Sequence, residues 1–243
     1  MGGESYKGWI IALFTLSAGL SRPFSGKLAD KIGRIPVMIF GAGVCFVVGL
    51  SYPLLHFVSG FLFLRFAHGF SAGFTPTGTS AYVADTVPFA QRGEALGMQS
   101  LFGSLGMAAG PALGGWIASI WPLDVLFYAA AFTAIFSILI LLRLKETLPK
   151  KEPLKLHLFK LEKNEILEKR VLLPSTILFL SVFSFGVVLT LIPDLSSFLG
   201  IKNKGLFFAV FTLSSLGIRL IAGRASDRIG RVKVMRVASV VMV

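Results

Sequence analysis

A stretch of 25 residues occurs twice in this chain of 243 residues. Residues 14–38 read FTLSAGLSRPFSGKLADKIGRIPVM, and residues 211–235 read FTLSSLGIRLIAGRASDRIGRVKVM. Twelve aligned positions are identical, and each copy ends an apolar run with Gly-x3-Asp-x2-Gly-Arg. An internal repeat constrains the architecture strongly, because both copies are expected to form the same structural unit. The duplication therefore predicts a bundle built from two related halves.

The composition places this bundle in a lipid bilayer. Hydrophobic residues make up 54% of the chain and charged residues 15%, and the mean hydropathy is +0.78. These values are too apolar for a water-soluble domain of this length. The net charge of +12 does not predict a nucleic-acid partner, because the basic residues fall between the apolar runs. The single cysteine, Cys45, excludes an intrachain disulfide framework and a cysteine metal cluster.

Seven apolar runs and the start of an eighth are long enough to cross the hydrocarbon core, which takes about 20 residues. Backbone polar groups inside lipid must pair within their own segment, so each run is predicted to be an α-helix. The predicted fold class is an all-α membrane protein. The runs cover residues 8–27, 35–55, 61–82, 96–120, 124–142, 172–193, 205–223 and 234 onward.

Lysine and arginine residues concentrate in alternate loops, namely those after the first, third, fifth and seventh runs. The positive-inside rule places these loops in the cytoplasm and residue 1 outside. The longest of them, residues 144–170, is predicted to be a solvated linker between the two halves. The alternative is that part of it lies on the membrane surface through Leu154, Leu156, Leu158 and Leu161.

The position of the repeat sets the size of the repeated unit. Five apolar runs separate the two copies, so the unit comprises six helices. The second copy is preceded by a helix, and no such helix precedes the first copy. We therefore expect a fragment of a twelve-helix protein that covers helices two to eight and the start of helix nine. The predicted domains are an N-terminal bundle (residues 1–143), the linker (144–170) and a partial C-terminal bundle (171–243).

The repeated loop, GKLADKIGR at residues 26–34, resembles the signature loop of the major facilitator superfamily, and residues 223–231 are its echo. The resemblance covers essentially the whole chain and implies two six-helix halves related by an axis along the membrane normal. Glycine permits close helix approach and tight turns, and the aspartate is expected to face the other half from a helix end. The alternative is a loop that only sets topology. The resemblance implies a cytoplasmic gate formed by Gly26, Asp30, Gly33, Arg34, Asp85, Gly223, Asp227, Gly230 and Arg231.

Within this group, Asp85 lies at the cytoplasmic end of the third run and is predicted to pair with Arg34, or else to be a solvated loop acid. The same run carries Arg65 and His68 well inside it, and a charged residue in lipid is costly enough to indicate a function. LRFAHGFSAG is similar to the helix-four pattern Arg-x2-Gln-Gly-x-Gly-Ala of the family, which implies a role for Arg65 in proton coupling or substrate contact. His68 replaces the glutamine, either as a group that titrates near neutral pH or, as we favour, as a hydrogen-bonding substitute.

The fourth run contains the glycine pattern G-x8-G-x3-GP-x2-GG, which resembles the helix-five signature of antiporters in this family. Glycines on one face let two helices touch, and proline leaves one backbone carbonyl without a partner and bends the helix. The pattern predicts a hinge for alternating access, with simple helix packing as the alternative. Its members are Gly97, Gly106, Gly110, Pro111, Gly114 and Gly115.

The chain carries no motif for catalysis. A phosphate-binding loop, an HExxH motif and a nucleophile–base pair are all missing, so we predict no catalytic residue, metal or cofactor, and no enzyme. None of the twelve acidic residues lies mid-span, so a proton-carrying carboxylate is expected in helix one or in helices nine to twelve. The predicted function is proton-coupled efflux of a small organic compound across the cytoplasmic membrane. The alternatives are a proton-coupled uptake permease for a sugar or metabolite and a non-transporting truncated fragment.

Overall fold

The computed structural model describes residues 6–55, 57–161, 169–200 and 205–242. These residues form eight α-helices joined by short loops and 3-10 turns, and no strand occurs among them. The predicted all-α fold class is confirmed. The helices are α1 (Lys7–Ile32), α2 (Arg34–Ser51), α3 (Val58–Thr86), α4 (Arg92–Ile120), α5 (Leu123–Leu141), α6 (Lys169–Phe198), α7 (Gly205–Ile229) and α8 (Arg231–Met242).

Several helices extend beyond their apolar runs into charged sequence. α1 ends at Ile32 instead of residue 27, and α7 ends at Ile229 instead of residue 223. A helix can continue through polar residues until a change in backbone direction ends it. In both copies of the repeat, a glycine makes this change of direction. Gly33 and Gly230 have φ angles of 121° and 96°, which residues with a side chain rarely adopt. The tight turn predicted at both glycines is therefore present.

Two of the helical segments are long and apolar enough to cross a membrane by length and composition alone. They are Arg34–Leu54, with a mean hydropathy of 2.0, and Leu123–Leu141, with 2.1. Val171–Phe183 is a shorter apolar stretch of the same kind. These observations cover only the described residues, and two such helices are weak evidence for a membrane protein when taken alone.

The chain folds into two compact units. The first comprises Met1–Thr86 and Ala108–Ile166, and the second comprises Val87–Met107 and Leu167–Val243. In the first unit α3 packs against both α1 and α2, and α2 also packs against α5. In the second unit α7 packs against α8 and against the 3-10 turn Phe89–Gln91 that precedes α4.

Small residues form the interface between α1 and α3. Ser17, Ser21 and Ser25 follow one another at four-residue spacing on α1 and are almost fully buried. They face glycines of α3, because a Cβ at Gly69 or Gly73 would collide with Ser17 or Ser21. The Ser25 hydroxyl also donates a hydrogen bond of 2.8 Å to the Gly73 carbonyl oxygen. This small-residue contact brings the two helix backbones close together.

Replacing Gly73 with alanine is expected to destabilise the first unit. The added Cβ would lie 2.8 Å from the backbone oxygen of Ala18, which has little freedom to move. Overpacking of this kind typically costs about 1–3 kcal/mol. The melting temperature of the purified protein in detergent measures the effect. Gly19→Ala on α1 is the matched control, because no described atom lies within 4 Å of its Cβ position. Equal melting temperatures for the two variants would contradict the close approach.

Candidate gating and polar sites

Arg34 organises the loop of the first repeat copy. Its Nη1 lies 2.9 Å from Asp30 Oδ1, and its Nε lies 3.0 Å from Asp85 Oδ2. Nη1 also donates to the Ala29 carbonyl oxygen. The predicted contact between Arg34 and Asp85 is therefore present, and it joins the end of α3 to the turn between α1 and α2. The Arg34 side chain is only 12% exposed, whereas that of Asp30 is 70% exposed.

Glu146, which follows α5, holds the same turn from the other side. Its carboxylate accepts hydrogen bonds from the backbone N–H groups of Arg34 at 3.0 Å and Ile35 at 3.2 Å, and also from Thr147 and Leu148. Burial alone raises the pKa of Glu146, but these four backbone donors outweigh it, so the pKa lies below its ordinary value. The carboxylate thus caps the N-terminus of α2, where the helix dipole favours negative charge.

The segment after Glu146 packs on the cytoplasmic end that the sequence predicts for α1. The Glu152 N–H donates to the Lys31 carbonyl oxygen at 2.8 Å, and the Lys31 ammonium pairs with the Glu152 carboxylate, also at 2.8 Å. The Lys27 ammonium donates to the Lys160 carbonyl oxygen at 2.8 Å. Leu158 is 1% exposed and packs in a core cluster with Leu28, Ala29, Val37 and Phe74.

The prediction of a solvated linker is therefore wrong for the part of the segment that contains Leu158. Its leucines differ in environment, since Leu158 is buried whereas Leu154 is 62% exposed. The sequence did not distinguish them, because a short 3-10 turn at Leu156–Phe159, and not a regular amphipathic helix, directs Leu158 inward. Residues 162–168 of the predicted linker lie outside the described residues.

The second repeat copy contacts the start of α4. The Asp227 carboxylate accepts hydrogen bonds from the N–H groups of Gly93 at 3.1 Å and Glu94 at 2.9 Å. Gly223 lies so close to this turn that a Cβ there would be 2.9 Å from the Gly93 carbonyl oxygen. A Cβ at Gly97, the first member of the glycine pattern, would be 3.6 Å from Gly223 Cα. The two helices therefore meet through backbone atoms.

Charged and aromatic groups surround this contact between α4 and α7. Arg224 Nε lies 2.8 Å from Glu94 Oε1, and Arg219 donates to the Ser100 hydroxyl. The Arg231 guanidinium lies 5.1 Å from the centre of the Phe89 ring. We call this set of contacts the α4–α7 clamp. It joins α7 and the first residue of α8 to the 3-10 turn Phe89–Gln91 and the N-terminal part of α4.

Gly26, which is the counterpart of Gly223 in the first copy of the repeat, has different surroundings. A Cβ at Gly26 would meet no described atom within 4 Å, whereas one at Gly223 would meet backbone. Gly26 and Asp30 instead line a surface concavity of about 350 Å³ together with Pro23, Lys27 and Lys31. The close helix approach predicted for the repeated glycine is thus observed in the second copy and not at Gly26.

The other positions of the glycine pattern lie along α4, which is continuous from Arg92 to Ile120. A Cβ at Gly114 would lie 3.2 Å from a methyl group of Leu126, and no described atom lies within 4 Å of such a Cβ at Gly106 or Gly110. Pro111 and Gly115 belong to the same helix, and their surroundings lie outside what the structure describes. The hinge stays a prediction.

Arg65 and His68 lie in a polar cluster inside the first unit. Arg65 Nε donates to the Ile10 carbonyl oxygen at 3.2 Å, and its guanidinium lies 4.7 Å from the centre of the Phe14 ring. His68 Nδ1 lies 3.1 Å from the hydroxyl oxygen of Tyr52, a residue that the sequence analysis did not select. The cluster lines a cavity of about 270 Å³.

The sequence matches the family model of the Major Facilitator Superfamily over residues 2–243, and the chain belongs to this superfamily of transporters. It is 32% identical over 253 residues to the multi-drug resistance efflux pump PmrA of Streptococcus pneumoniae, a match that covers 96% of this chain and 60% of PmrA. It is 34% identical over 144 residues to multidrug resistance protein 2 of Bacillus subtilis, covering 59% of this chain and 36% of that protein.

The fold is also similar to that of a solved structure, the proton:xylose symporter XylE bound to 6-bromo-6-deoxy-D-glucose. The TM-score is 0.69 at 16% identity, and the match covers 92% of this chain and 60% of XylE. This likeness shows the major facilitator fold alone. Together with the family match, it identifies the chain as an integral membrane protein that spans about 60% of the length of PmrA and of XylE.

Replacing Glu146 with glutamine is expected to lower the melting temperature of the purified protein at neutral pH. A hydrogen bond to a charged group contributes about 1.5–3 kcal/mol, and the neutral amide accepts the four N–H groups less well. The lowered pKa means that the carboxylate stabilises the fold above its ordinary pKa, and that this stabilisation is lost as the pH falls through the pKa of the folded state.

The difference in melting temperature between the wild type and Glu146→Gln should therefore shrink in acid. Glu152→Gln is the matched control, because its ion pair with Lys31 is about half exposed and such pairs contribute little. A Glu146→Gln variant that melts like Glu152→Gln at neutral pH would refute the capping role.

Proposed function

We propose that this protein acts in proton-coupled export of a small organic compound across the cytoplasmic membrane, in which it is a multi-pass protein. The observation that carries the proposal is the glycine pattern of α4, whose first member, Gly97, packs on the backbone of Gly223 in α7. The name of PmrA as an efflux pump supports export over import.

We propose further that the α4–α7 clamp is a gate. By the sequence repeat, α4 belongs to the first half of the transporter and α7 to the second, so the clamp joins the two halves. Alternating access requires such contacts to form in one state and to break in the other. The hydrogen bonds of Asp227 and the ion pair of Arg224 are polar contacts that can break when the helices move apart. The glycine contact forms only when the backbones of α4 and α7 lie directly against each other.

The cluster of Arg65 and His68 is our proposed coupling or substrate site. Arg65 has no carboxylate partner among the described residues. It contacts the Ile10 carbonyl oxygen, the Phe14 ring and the Tyr52 hydroxyl. A guanidinium without a fixed anion is suited to interact with the substrate or with a carboxylate that changes its protonation state.

Transport by the complete protein in everted membrane vesicles tests the export hypothesis. When ATP-driven proton pumping acidifies the lumen, an exporter is expected to move a dye such as ethidium into the vesicles. Nigericin, which collapses the pH gradient, should abolish this movement. Proton-driven movement of substrate out of the lumen would favour the uptake permease instead, and vesicles without any gradient-dependent flux would contradict both.

A bulky side chain at Gly223 tests the gate. Gly223→Leu is expected to prevent the close contact with Gly93 and so to disfavour the clamped state, because overpacking costs about 1–3 kcal/mol and about 1.4 kcal/mol changes a population tenfold. Efflux should fall about tenfold or more at an unchanged expression level.

Gly217→Leu in the same helix is the control for this gate variant. No described atom lies within 4 Å of a Cβ at Gly217, so the same substitution there should leave efflux near the wild-type level. If Gly223→Leu also transports at the wild-type rate, the clamp is not a gate.

A further inference from the structure

An apolar groove lies between α2 and α3 of the first unit, on a different face of α3 from the polar cluster. Its volume is about 690 Å³, within the range of about 300–1,000 Å³ that is typical of ligand sites. The described residues that line it are all apolar, and Phe40, Phe63 and Phe70 are among them. Because successive residues of an α-helix are rotated by about 100°, Phe70 points about 140° away from Arg65.

This groove is open on its outer side. Phe63 is 69% exposed and Val47 is 59% exposed, and both line the groove. Gly43 also lines it, and a Cβ there would meet no described atom within 4 Å. In an integral membrane protein, an open apolar surface of this kind contacts lipid acyl chains, which are as apolar as the side chains themselves.

The depth of the groove matches one leaflet of the bilayer. It follows α2 over residues 40–48, and α2 begins at Arg34, the end that the positive-inside rule places in the cytoplasm. At a rise of 1.5 Å per residue, Phe40 lies about 9 Å and Val47 about 20 Å along the helix from Arg34. Half of the hydrocarbon core is about 15 Å thick. An acyl chain that enters from the cytoplasmic leaflet therefore reaches the groove.

The 3-10 turn Leu156–Phe159 lies next to the cytoplasmic end of this groove. Its Leu158 packs in one cluster with Phe74 of α3, and Phe70 packs against the same cluster. The ring centre of Phe74 lies 4.6 Å from that of Phe40 and 6.5 Å from that of Phe70, and both of these residues line the groove. The turn is thus in the position that the headgroup of a lipid in the groove would occupy.

Lysine residues flank this turn. Lys155 directly precedes it and Lys160 directly follows it, and both are exposed. The Lys27 ammonium donates to the Lys160 carbonyl oxygen and adds a third positive charge, while Glu152 pairs with Lys31. Each lysine near an anionic membrane surface strengthens binding about fivefold. The charge of the turn is therefore complementary to an anionic headgroup.

We propose that the groove between α2 and α3 is a binding site for an anionic phospholipid of the cytoplasmic leaflet. One acyl chain lies in the groove, and Lys155 and Lys160 bind the phosphate. This site is separate from the polar cluster of Arg65 and His68, and it depends neither on the compound that the protein transports nor on the direction of transport.

Photo-cross-linking of lipid to the complete protein tests this inference. The protein is reconstituted in phosphatidylcholine vesicles that contain a small fraction of phosphatidylglycerol with a diazirine in one acyl chain. A second preparation carries the same diazirine chain on phosphatidylcholine. Mass spectrometry of the peptides then locates and counts the lipid adducts. We expect adducts within residues 40–48 and 63–70, about fivefold or more abundant with the phosphatidylglycerol probe.

A variant that fills the groove tests the place of the acyl chain. Gly43→Leu puts a side chain into the groove without meeting another described atom at its Cβ, and it should strongly reduce the adducts from both probes. Gly8→Leu near the start of α1 is the matched control, because its Cβ position is equally open but lies outside the groove. This control should leave the adducts unchanged.

A pair of charge variants tests the headgroup. Lys155→Gln combined with Lys160→Gln should lower the ratio of phosphatidylglycerol to phosphatidylcholine adducts about fivefold for each lysine. Lys233→Gln combined with Arg236→Gln removes the same charge from exposed positions of α8 and should leave this ratio unchanged. These exposed variants and the wild type keep the test decisive even if Gly43→Leu does not fold.

Three results would overturn the inference. If the groove of the wild type carries no adducts while other lipid-facing helices are labelled, then another part of the complete protein or a second copy covers it. Equal labelling of the groove by the two probes would contradict an anionic ligand. An equal fall of the adduct ratio in both charge variants would show a general effect of net charge and no headgroup site at the turn.

Discussion

The close approach of helix backbones at small residues is the interaction on which the other features depend. In lipid, apolar side chains gain little by moving from acyl chains to another helix, so helices associate mainly through tight packing and polar contacts. The Ser21 and Gly73 contact brings α1 against α3, and this proximity lets Arg65 of α3 reach the Ile10 carbonyl oxygen of α1. In the second unit the contact between Gly223 and Gly93 likewise places Asp227 at the start of α4. Both candidate sites thus follow from backbone proximity.

Carboxylates in this protein act at helix ends, where they compensate backbone N–H groups that a helix leaves without partners. Glu146 caps α2 and Asp227 caps α4, and each carboxylate accepts hydrogen bonds from two N–H groups in the first turn of its helix. Such a cap typically contributes about 0.5–2 kcal/mol, which is enough to hold a helix end. A contact of this strength is consistent with the gate that we propose at Asp227, because it can be broken at modest cost.

Local sequence predicted much of the fold, and long-range contacts account for what it did not predict. The apolar runs and the duplicated loop predicted the helices, the glycine turns at Gly33 and Gly230, and the pairing of Arg34 with Asp85. Glu146 and Leu158 were missed because each reaches residues more than a hundred positions away, with no periodic pattern to indicate it. Tyr52 was missed for a related reason, since a single polar group after an apolar run does not show which helix its hydroxyl contacts.

The two copies of the repeat show why an identical motif need not have identical partners. In the second copy a helix N-terminus lies within reach, and Asp227 binds its N–H groups while Arg231 lies over Phe89. In the first copy Asp30 pairs with Arg34 four residues later, and this carboxylate is mostly exposed. Solvent therefore screens the Asp30 carboxylate, although the Arg34 side chain itself is mostly buried. Release of Asp227, by contrast, would remove the carboxylate that caps two N–H groups of α4.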